Sequence, residues 1–279
     1  LFRSGVGVIL NIILDPVCIY IFNLGVIGAG ISTLIANIIM FILFRIKSNG
    51  ILKYKFGIGI DYIKIKEICI LGFPMAFQRV LFTIINIFLA KIIAIFGSDA
   101  IAAQKVGVQI ESIAYMVIGG LNGAVASFTG QNFGAKRFDR IKEGYKSSLK
   151  VGIAYALAMA GIFFIFNRPI IKLFISDEET IAIAASYLQA VAFSQAFSAV
   201  EMISNGFFTG IGKPNIPAAI SIIFTSLRIP FALVLIKPFG INGIWISICL
   251  SSILKGLSAY LLYKIELRKE NFSINYIES

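Results

Sequence analysis

Long apolar segments constrain this chain of 279 residues more than any other feature of its sequence. A helix needs about 20 apolar residues to cross the hydrocarbon core of a bilayer. No water is present there to pair with backbone N–H and C=O groups, so these groups must be bonded within the helix. Segments of that kind recur along most of the chain. They predict eight transmembrane helices, at about residues 5–23, 25–45, 68–96, 101–128, 146–166, 181–210, 216–236 and 240–264.

The composition supports this interpretation and excludes several functions. Hydrophobic residues make up 58% of the chain and charged residues 14%, whereas about 25% of the residues are charged in ordinary globular proteins. We therefore predict an all-α integral membrane protein. The chain has no histidine, which excludes Ser-His catalysis and metal sites built on histidine. Cys18, Cys69 and Cys249 show no metal or redox spacing, so we expect packing roles for them. Without histidine, and with the membrane acids on separate helices, we expect no enzyme activity and no cofactor.

Asp15 is the residue that most strongly indicates a function, because it lies in the middle of the first apolar segment. A carboxylate at the centre of a membrane helix costs about 2.5–3.5 kcal/mol, so an acid at that depth indicates a functional site. Asn11 lies four residues earlier on the same helix face, and Pro16 leaves the carbonyl group of Ile12 without its helical partner. These oxygens can bind a hard cation, and the carboxylate can carry a proton. The alternative is that Asp15 and Pro16 mark a helix end, with Asp15 as a cap.

Glu111 and Glu201 are the other two acids within apolar segments, and both lie on polar helix faces. Such faces should point into a helix bundle or a wet cavity. Glu201 could pair with Arg79 and be structural, whereas Glu111 could pair with Lys105 or Arg79. We expect Arg228 to extend towards the membrane surface or to pair locally. The polar faces consist of Arg79, Thr83 and Asn86 in the third span, Gln104, Glu111, Tyr115 and Asn122 in the fourth, and Tyr187, Ser194, Ser198, Glu201 and Asn205 in the sixth.

Basic residues are concentrated on one side of the predicted topology. The net charge of +11 would suggest nucleic acid in a soluble chain, but basic loops mark the cytoplasmic side of a membrane protein. We therefore predict a multi-pass protein of the bacterial plasma (inner) membrane with a cytoplasmic C-terminus and no nucleic-acid partner. The cytoplasmic basic residues are Arg45, Lys47, Lys53, Lys55, Lys64 and Lys66 in a linker, Lys136, Arg137, Arg140, Lys142, Lys146 and Lys150 in a second loop, Lys213, Lys264, Arg268 and Lys269. The opposite side holds Arg168, Lys172 and Lys237 with the acidic residues Asp177, Glu178 and Glu179.

The chain also contains an internal repeat. The residues Gly25, Gly28, Ile31 and Ser32 recur 215 positions later as Gly240, Gly243, Ile246 and Ser247. Pro16 likewise has a near counterpart in Pro230. Two structural repeats that each end in such a helix pair would explain the pattern. It predicts the last two helices of an N-terminal lobe at 1–45, a cytoplasmic linker at 46–67, a six-helix C-terminal lobe at 68–265 and a cytoplasmic tail at 266–279.

Several motifs together resemble one family of transporters. They are residues 11–16 (NIILDP), 24–29 (LGVIGA), 102–112 (AAQKVGVQIES), 130–135 (GQNFGA) and 206–213 (GFFTGIGK). In order and spacing they resemble helices five, six, eight and ten of the multidrug and toxic compound extrusion (MATE) transporters. The resemblance implies twelve helices in two six-helix lobes, of which this chain supplies helices five to twelve and lacks the first four. It also implies alternating access and the export of organic cations and drugs in exchange for Na⁺ or H⁺.

The family's ion ligands carry over onto a few positions of this chain. The resemblance implies that Asn11 and Asp15 on helix five and Thr33 on helix six bind the coupling cation or proton, and Na⁺ at Asp15 is the one metal ion it suggests. An acid on helix one has no counterpart here, and the helix-seven acid of some members is replaced by Phe82. The remaining candidates for a proton or substrate site in the C-terminal lobe are Glu111, Glu201, Gln104, Tyr115 and Arg79.

The resemblance also implies the partners of the chain and leaves two alternatives open. The partners would be membrane lipid, cationic or aromatic drugs and the missing N-terminal helices, in a monomer. One alternative is a flippase of the same fold for lipid-linked oligosaccharides. The other is an inactive truncated product.

Overall fold

The structure is a computed structural model that describes residues 2–47 and 61–268. Within these ranges the chain forms helices and short connections, and no strand. A π-helical turn, Val17–Ile21, directly follows the first helix. The helices are α1 (Phe2–Pro16), α2 (Gly25–Lys47), α3 (Tyr62–Ala94), α4 (Ser98–Gly134), α5 (Phe138–Ile165), α6 (Asn167–Ile171), α7 (Glu178–Gly210), α8 (Asn215–Ser226), α9 (Arg228–Phe239) and α10 (Ile241–Arg268).

Seven helical segments in the described part of the chain are long and apolar enough to cross a membrane. They are α2, α3, α4, α5, α7, the pair α8–α9, and α10. The eighth predicted span corresponds to α1 and its π-helical turn, which form a shorter apolar segment at Val6–Ile21. The prediction of an all-α integral membrane protein is therefore confirmed.

Most helices extend beyond the apolar spans predicted for them. Only Ala135, Lys136 and Arg137 separate α4 from α5, so the other basic residues predicted for this loop lie on the first turns of α5. An apolar window detects the part of a helix inside the bilayer, and polar residues can continue the same helix into water. Residues 48–60, with Lys53 and Lys55, and residues 269–279, with Lys269, lie outside the described part of the chain.

Prolines change the course of two spans. Pro16 is the last residue of α1, and the backbone continues from it as the π-helical turn. The predicted seventh span is divided between α8, which ends at Ser226, and α9, which begins at Arg228. Pro230 lacks the N–H that would bond the carbonyl group of Ser226, and this explains why α8 ends there.

The chain divides into two compact units, Leu1–Asp61 and Tyr62–Ser279. In the first unit α1 and its π-helical turn pack against α2. In the second, α7 lies at the centre and packs against α4, α5 and α10, while α3 packs against α8. The assignment of these regions to lobes, linker and tail stays a prediction.

Small residues bring α4 and α7 into close contact. A Cβ atom added at Gly206 would lie 2.6 Å from the carbonyl oxygen of Asn122. One turn later, a Cβ at Gly210 would lie 2.8 Å from the carbonyl oxygen of Ala126. Glycine at these two positions lets the backbone of α7 lie directly on α4, as small residues do at helix interfaces in membranes.

The glycines of the internal repeat have the same structural role in both copies. Gly25 begins α2, and Gly240 directly precedes α10. Their φ values are positive, at 53° and 55°, and residues with a Cβ atom are strained in this conformation. At Gly28 and Gly243 an added Cβ would clash with a backbone carbonyl group of the preceding helical segment. The two helix pairs therefore turn and pack in the same way.

The repeated serines are also equivalent. Ser32 and Ser247 are both fully buried. Each hydroxyl group donates a hydrogen bond to the carbonyl oxygen three residues earlier, over 2.9 Å to Ala29 and 2.7 Å to Ile244. The repeat recognised in the sequence is thus present in the backbone and in the side-chain hydrogen bonds.

The α4–α7 contact predicts a different response to alanine at two glycines. Gly206→Ala should destabilise the protein by about 1–3 kcal/mol, because the new methyl group forces two backbones apart. Gly123→Ala on α4 is the matched control, since a Cβ there meets no atom within 4 Å. Thermal unfolding of the complete gene product in detergent measures both. Equal melting temperatures for the two variants would contradict the proposed contact.

Candidate functional site

Asp15 lies partly buried at the end of α1, beside the π-helical turn. Its carboxylate accepts a hydrogen bond from the hydroxyl group of Ser32 on α2. None of the ion pairs found among the described residues involves Asp15. A carboxylate that is held by a hydroxyl group and lacks a basic partner can still accept a cation or a proton.

Asn11 lies one turn before Asp15 and adds a second oxygen to this site. Its side-chain oxygen Oδ1 is buried and has no hydrogen-bond partner in the described structure. Buried polar atoms are almost always bonded, so an exception calls for an explanation such as an ion or a water molecule. Asn11 and Asp15 therefore offer the neutral and charged oxygen donors that a small hard cation requires.

Thr33 does not contact Asp15 in this structure. Its side chain is exposed, and its hydroxyl group donates to the carbonyl oxygen of Ala29 over 2.9 Å. Successive residues of a helix point about 100° apart, so Ser32 and Thr33 cannot both face Asp15. Ser32 occupies that place, and the internal repeat was the sequence feature that could have identified it.

Four of the buried charged side chains in the second unit form a group, here called the charged layer, whereas a fifth, Glu266, pairs with Lys213. The layer consists of Glu111 on α4, Glu201 on α7, Arg228 on α9 and Lys255 on α10, with exposed fractions between 7% and 8%. Along α7 the layer lies between two apolar clusters, one that includes Ile181 to Ala192 and one that includes Ile203 to Ile211. The charged side chains thus lie inside the helix bundle.

Glu111 is held by a rigidly packed tyrosine. The hydroxyl group of Tyr187 on α7 donates to Oε2 of Glu111 over 2.5 Å. The Tyr187 ring fills the space left by Gly107, where a Cβ atom would overlap it. It also packs edge-on against Trp245, with ring centroids 5.1 Å apart. Packing against both neighbours fixes the donor, so the contact with Glu111 is built into the fold.

Tyr115 and Arg228 complete the surroundings of Glu111. Tyr115, one turn after Glu111 on α4, donates to Oγ of Ser198 over 3.1 Å and also interacts with the Glu111 carboxyl group. Arg228 and Lys255 are cations that act on the Glu111 carboxyl group. Gln104 is partly buried on the same helix, about two turns before Glu111.

Glu201 pairs with Lys255, not with Arg79. The distance between Lys255 Nζ and Glu201 Oε2 is 3.3 Å, and both side chains are 10% exposed. Arg79 is exposed on α3, and Lys105 is exposed on α4, so neither takes the role expected for it. The expectation matched residues by their distance from the helix ends and overlooked Lys255, which lies within the last apolar span.

Arg228 points into the bundle and does not extend towards the membrane surface. Its Nε donates to Oγ of Ser251 over 3.1 Å, and a terminal nitrogen donates to Oγ of Ser252 over 3.4 Å. Both serines lie on α10. The interruption between α8 and α9 places Arg228 at the start of a helix, facing these hydroxyl groups.

The polar face predicted for α7 is buried as a whole, whereas the face predicted for α3 is not. Arg79 and Thr83 are exposed, and Asn86 is partly buried. In the described residues, no three His, Cys, Asp or Glu side chains gather as a metal site would require. The buried residues of the α7 face are Tyr187, Ser194, Ser198 and Glu201, with Asn205 partly buried.

Comparison with known sequences identifies one family. The sequence model of the family described as MatE matches residues 74–234. The chain is 27% identical over 259 residues to the probable multidrug resistance protein NorM of Thermotoga maritima, an alignment that covers 87% of this chain and 54% of that protein. It is 24% identical over 258 residues to the multidrug export protein MepA of Staphylococcus aureus, covering 91% and 57% of the two proteins.

Solved structures show the same fold. The Vibrio cholerae MATE transporter VcmN in the bent form superimposes with a TM-score of 0.87 at 24% identity, over 98% of this chain and 63% of that one. A MOP superfamily transporter from Pyrococcus furiosus gives a TM-score of 0.84 at 21% identity, over 95% and 62%. The chain spans about half the length of the curated relatives it matches.

The fixed contact between Tyr187 and Glu111 predicts a measurable stabilisation. Tyr187→Phe should lower the free energy of unfolding by about 1–3 kcal/mol, because it removes the closely held donor of a buried carboxyl group. Tyr155→Phe on α5 is the control, since this ring packs against an apolar cluster at Ile118, Ala156 and Ala199. Unfolding of the complete gene product in detergent measures both variants. If the two substitutions have the same effect, the hydrogen bond does not stabilise the fold.

Proposed function

Because the chain belongs to the multidrug and toxic compound extrusion (MatE) family of transporters, we propose that it forms part of a secondary active efflux antiporter. This antiporter exports organic cations and drugs in exchange for Na⁺ or H⁺ by alternating access. The observation that carries the proposal is Asp15, a carboxylate within a membrane span that has no basic partner in the described structure and lies beside an unbonded amide oxygen of Asn11.

The coupling ion binds at the end of α1. The Asp15 carboxylate supplies the charge, and Asn11 Oδ1 supplies a neutral oxygen from the same helix face. The hydroxyl group of Ser32 already contacts Asp15, so it is the third oxygen at the site. Thr33 can join the ligands only if its hydroxyl group leaves the carbonyl oxygen of Ala29. A carboxylate with such neighbours can take either a proton or Na⁺, and the site residues alone do not select between them.

The backbone beside Asp15 gives ion binding a way to change the shape of the helix. Pro16 ends α1, and the π-helical turn Val17–Ile21 follows it. Helices bend most easily at prolines and at π-helical turns. An ion that binds one of two helix conformations more tightly shifts the population towards that conformation. A drug that binds the other conformation more tightly then favours release of the ion.

The substrate class is inferred from the names of the relatives. NorM of Thermotoga maritima and MepA of Staphylococcus aureus are named as multidrug resistance and export proteins. We infer the same cationic and aromatic drugs as substrates here, with membrane lipid and further N-terminal helices as partners of a monomer. No organic cofactor is needed, because the coupling ion supplies the free energy.

The charge distribution supports the orientation in a bacterial inner membrane. Lys136 and Arg137 lie between α4 and α5, and Lys213 lies between α7 and α8. Two membrane-crossing helices, α5 and α7, separate these connections, so both lie on one side of the membrane. The excess of basic residues there favours the cytoplasm.

Asp15→Asn should abolish ion-driven efflux. The experiment loads vesicles that contain the complete gene product with a cationic fluorescent drug and imposes a Na⁺ gradient or a pH gradient. The parent protein should follow one of the two gradients, which names the coupling ion. Asp15→Asn should reduce coupled efflux to the level of empty vesicles, because the amide side chain carries no charge to exchange.

Two comparisons make this experiment specific. Asp139→Asn is the control, because this side chain is 98% exposed on the first turn of α5 and should transport normally. Ser32→Ala should weaken ion binding more than Thr33→Ala, since only Ser32 contacts Asp15. Normal coupled transport by Asp15→Asn would refute the assignment, and coupling would then have to depend on Glu111.

A further inference from the structure

The charged layer of the second unit contains as many cations as acids. Glu111 and Glu201 carry two negative charges when ionised, and Arg228 and Lys255 carry two positive charges. Arg228 and Lys255 both act on Glu111, and Lys255 also acts on Glu201, through the low-dielectric interior. With all four side chains ionised, the layer is electrically neutral without any ion from solution.

We propose that Lys255 is a tethered cation, which occupies the place at Glu201 where a free monovalent cation would otherwise bind. The ammonium group of lysine is a compact point charge, comparable in this respect to a bound metal cation. Its Nζ lies 3.3 Å from Oε2 of Glu201, and both side chains are 10% exposed. Lys255 thereby keeps Na⁺ out of the second unit and leaves ion exchange to the first.

The backbone holds the ammonium group in this place. Gly256, the next residue on α10, packs so closely on α7 that a Cβ atom there would overlap the carbonyl oxygen of Phe197. Phe197 lies one helical turn before Glu201. Close contact between the two helices at this level fixes the height of Lys255 opposite Glu201. The position of the amine is therefore set by the fold and not only by attraction between the charges.

The two copies of the internal repeat differ at this point, and the difference supports the inference. In the first copy Asp15 precedes Pro16, and its contacts are the hydroxyl group of Ser32 and no described cation. In the second copy Ile229 directly precedes Pro230, so the acid has no counterpart there, and a cation, Arg228, lies one residue earlier. One copy thus carries an acid that is open to an exchangeable ion, and the other carries cations of its own.

The inference concerns ion binding by the second unit, and it holds whether or not the protein exports drugs. Its test therefore measures thermal stability and not transport. The complete gene product is purified in detergent at constant pH with the substitution Asp15→Asn, so that an ion at Asp15 cannot contribute. Its melting temperature is measured in choline chloride and in NaCl at equal ionic strength. We expect the same value in both salts, because Lys255 already neutralises Glu201.

Adding Lys255→Met to the Asp15→Asn protein should make its melting temperature depend on Na⁺. In choline chloride the melting temperature should fall by about 10 °C, because a buried carboxylate has lost its partner. NaCl should restore most of this loss, since an ion that binds only the folded state stabilises it. Lys105→Met, at an exposed lysine of α4, is the matched control and should show no response to Na⁺.

A charge-neutral variant covers the case in which Lys255→Met does not fold. Glu201→Gln with Lys255→Met removes both charges and should recover folded protein whose melting temperature is the same in both salts. If Na⁺ raises the melting temperature of the Lys255→Met variant no more than that of the Asp15→Asn protein, the inference is wrong. It is equally wrong if the charge-neutral variant is as unstable as Lys255→Met alone, because the loss would then come from packing.

Discussion

A charge inside the bilayer has no water to stabilise it, and the second unit is arranged around that constraint. The four side chains of the charged layer come from four different helices, α4, α7, α9 and α10. Each meets an opposite charge or a hydroxyl group, and two apolar clusters enclose the layer along α7. Breaking such a pair leaves an uncompensated charge, which costs more than the intact pair contributes. The layer therefore determines how these helices must be placed relative to one another.

Much of the fold could be predicted because the bilayer restricts backbone structure so strongly. Apolar length identified the seven membrane-length segments, and Gly25 and Gly240 helped to identify the internal repeat. The family expected from the motifs is confirmed by the match to MatE. The partner of Glu201 could not be predicted in the same way. Lys255 is one basic residue in an apolar span, and only the rotation and height of α10 against α7 reveal that it faces Glu201. Periodicity describes one helix and contains no information about its neighbour's rotation.

The candidate ion site shows the same limit on a smaller scale. Asp15 and Asn11 were identified from their depth and spacing, and their roles stay predictions. Family resemblance indicated Thr33 on α2, whereas the structure places the preceding residue, Ser32, against the carboxylate. A shift of one residue changes the direction of a side chain by about 100°, which a weak alignment does not resolve. The internal repeat was more informative here, because it compares two parts of one chain.

The pairing of Glu201 with Lys255 also has a consequence for synthesis. Glu201 leaves the ribosome on α7, and Lys255 follows on α10 after about 50 more residues, which at roughly 5–20 residues per second takes about 3–10 s. During that interval the acid has no lysine to neutralise it. The nascent chain must therefore hold α7 beside the translocon until α10 arrives. Because α10 carries the neutralising amine, the charge pair of the second unit forms only after α10 has been synthesised.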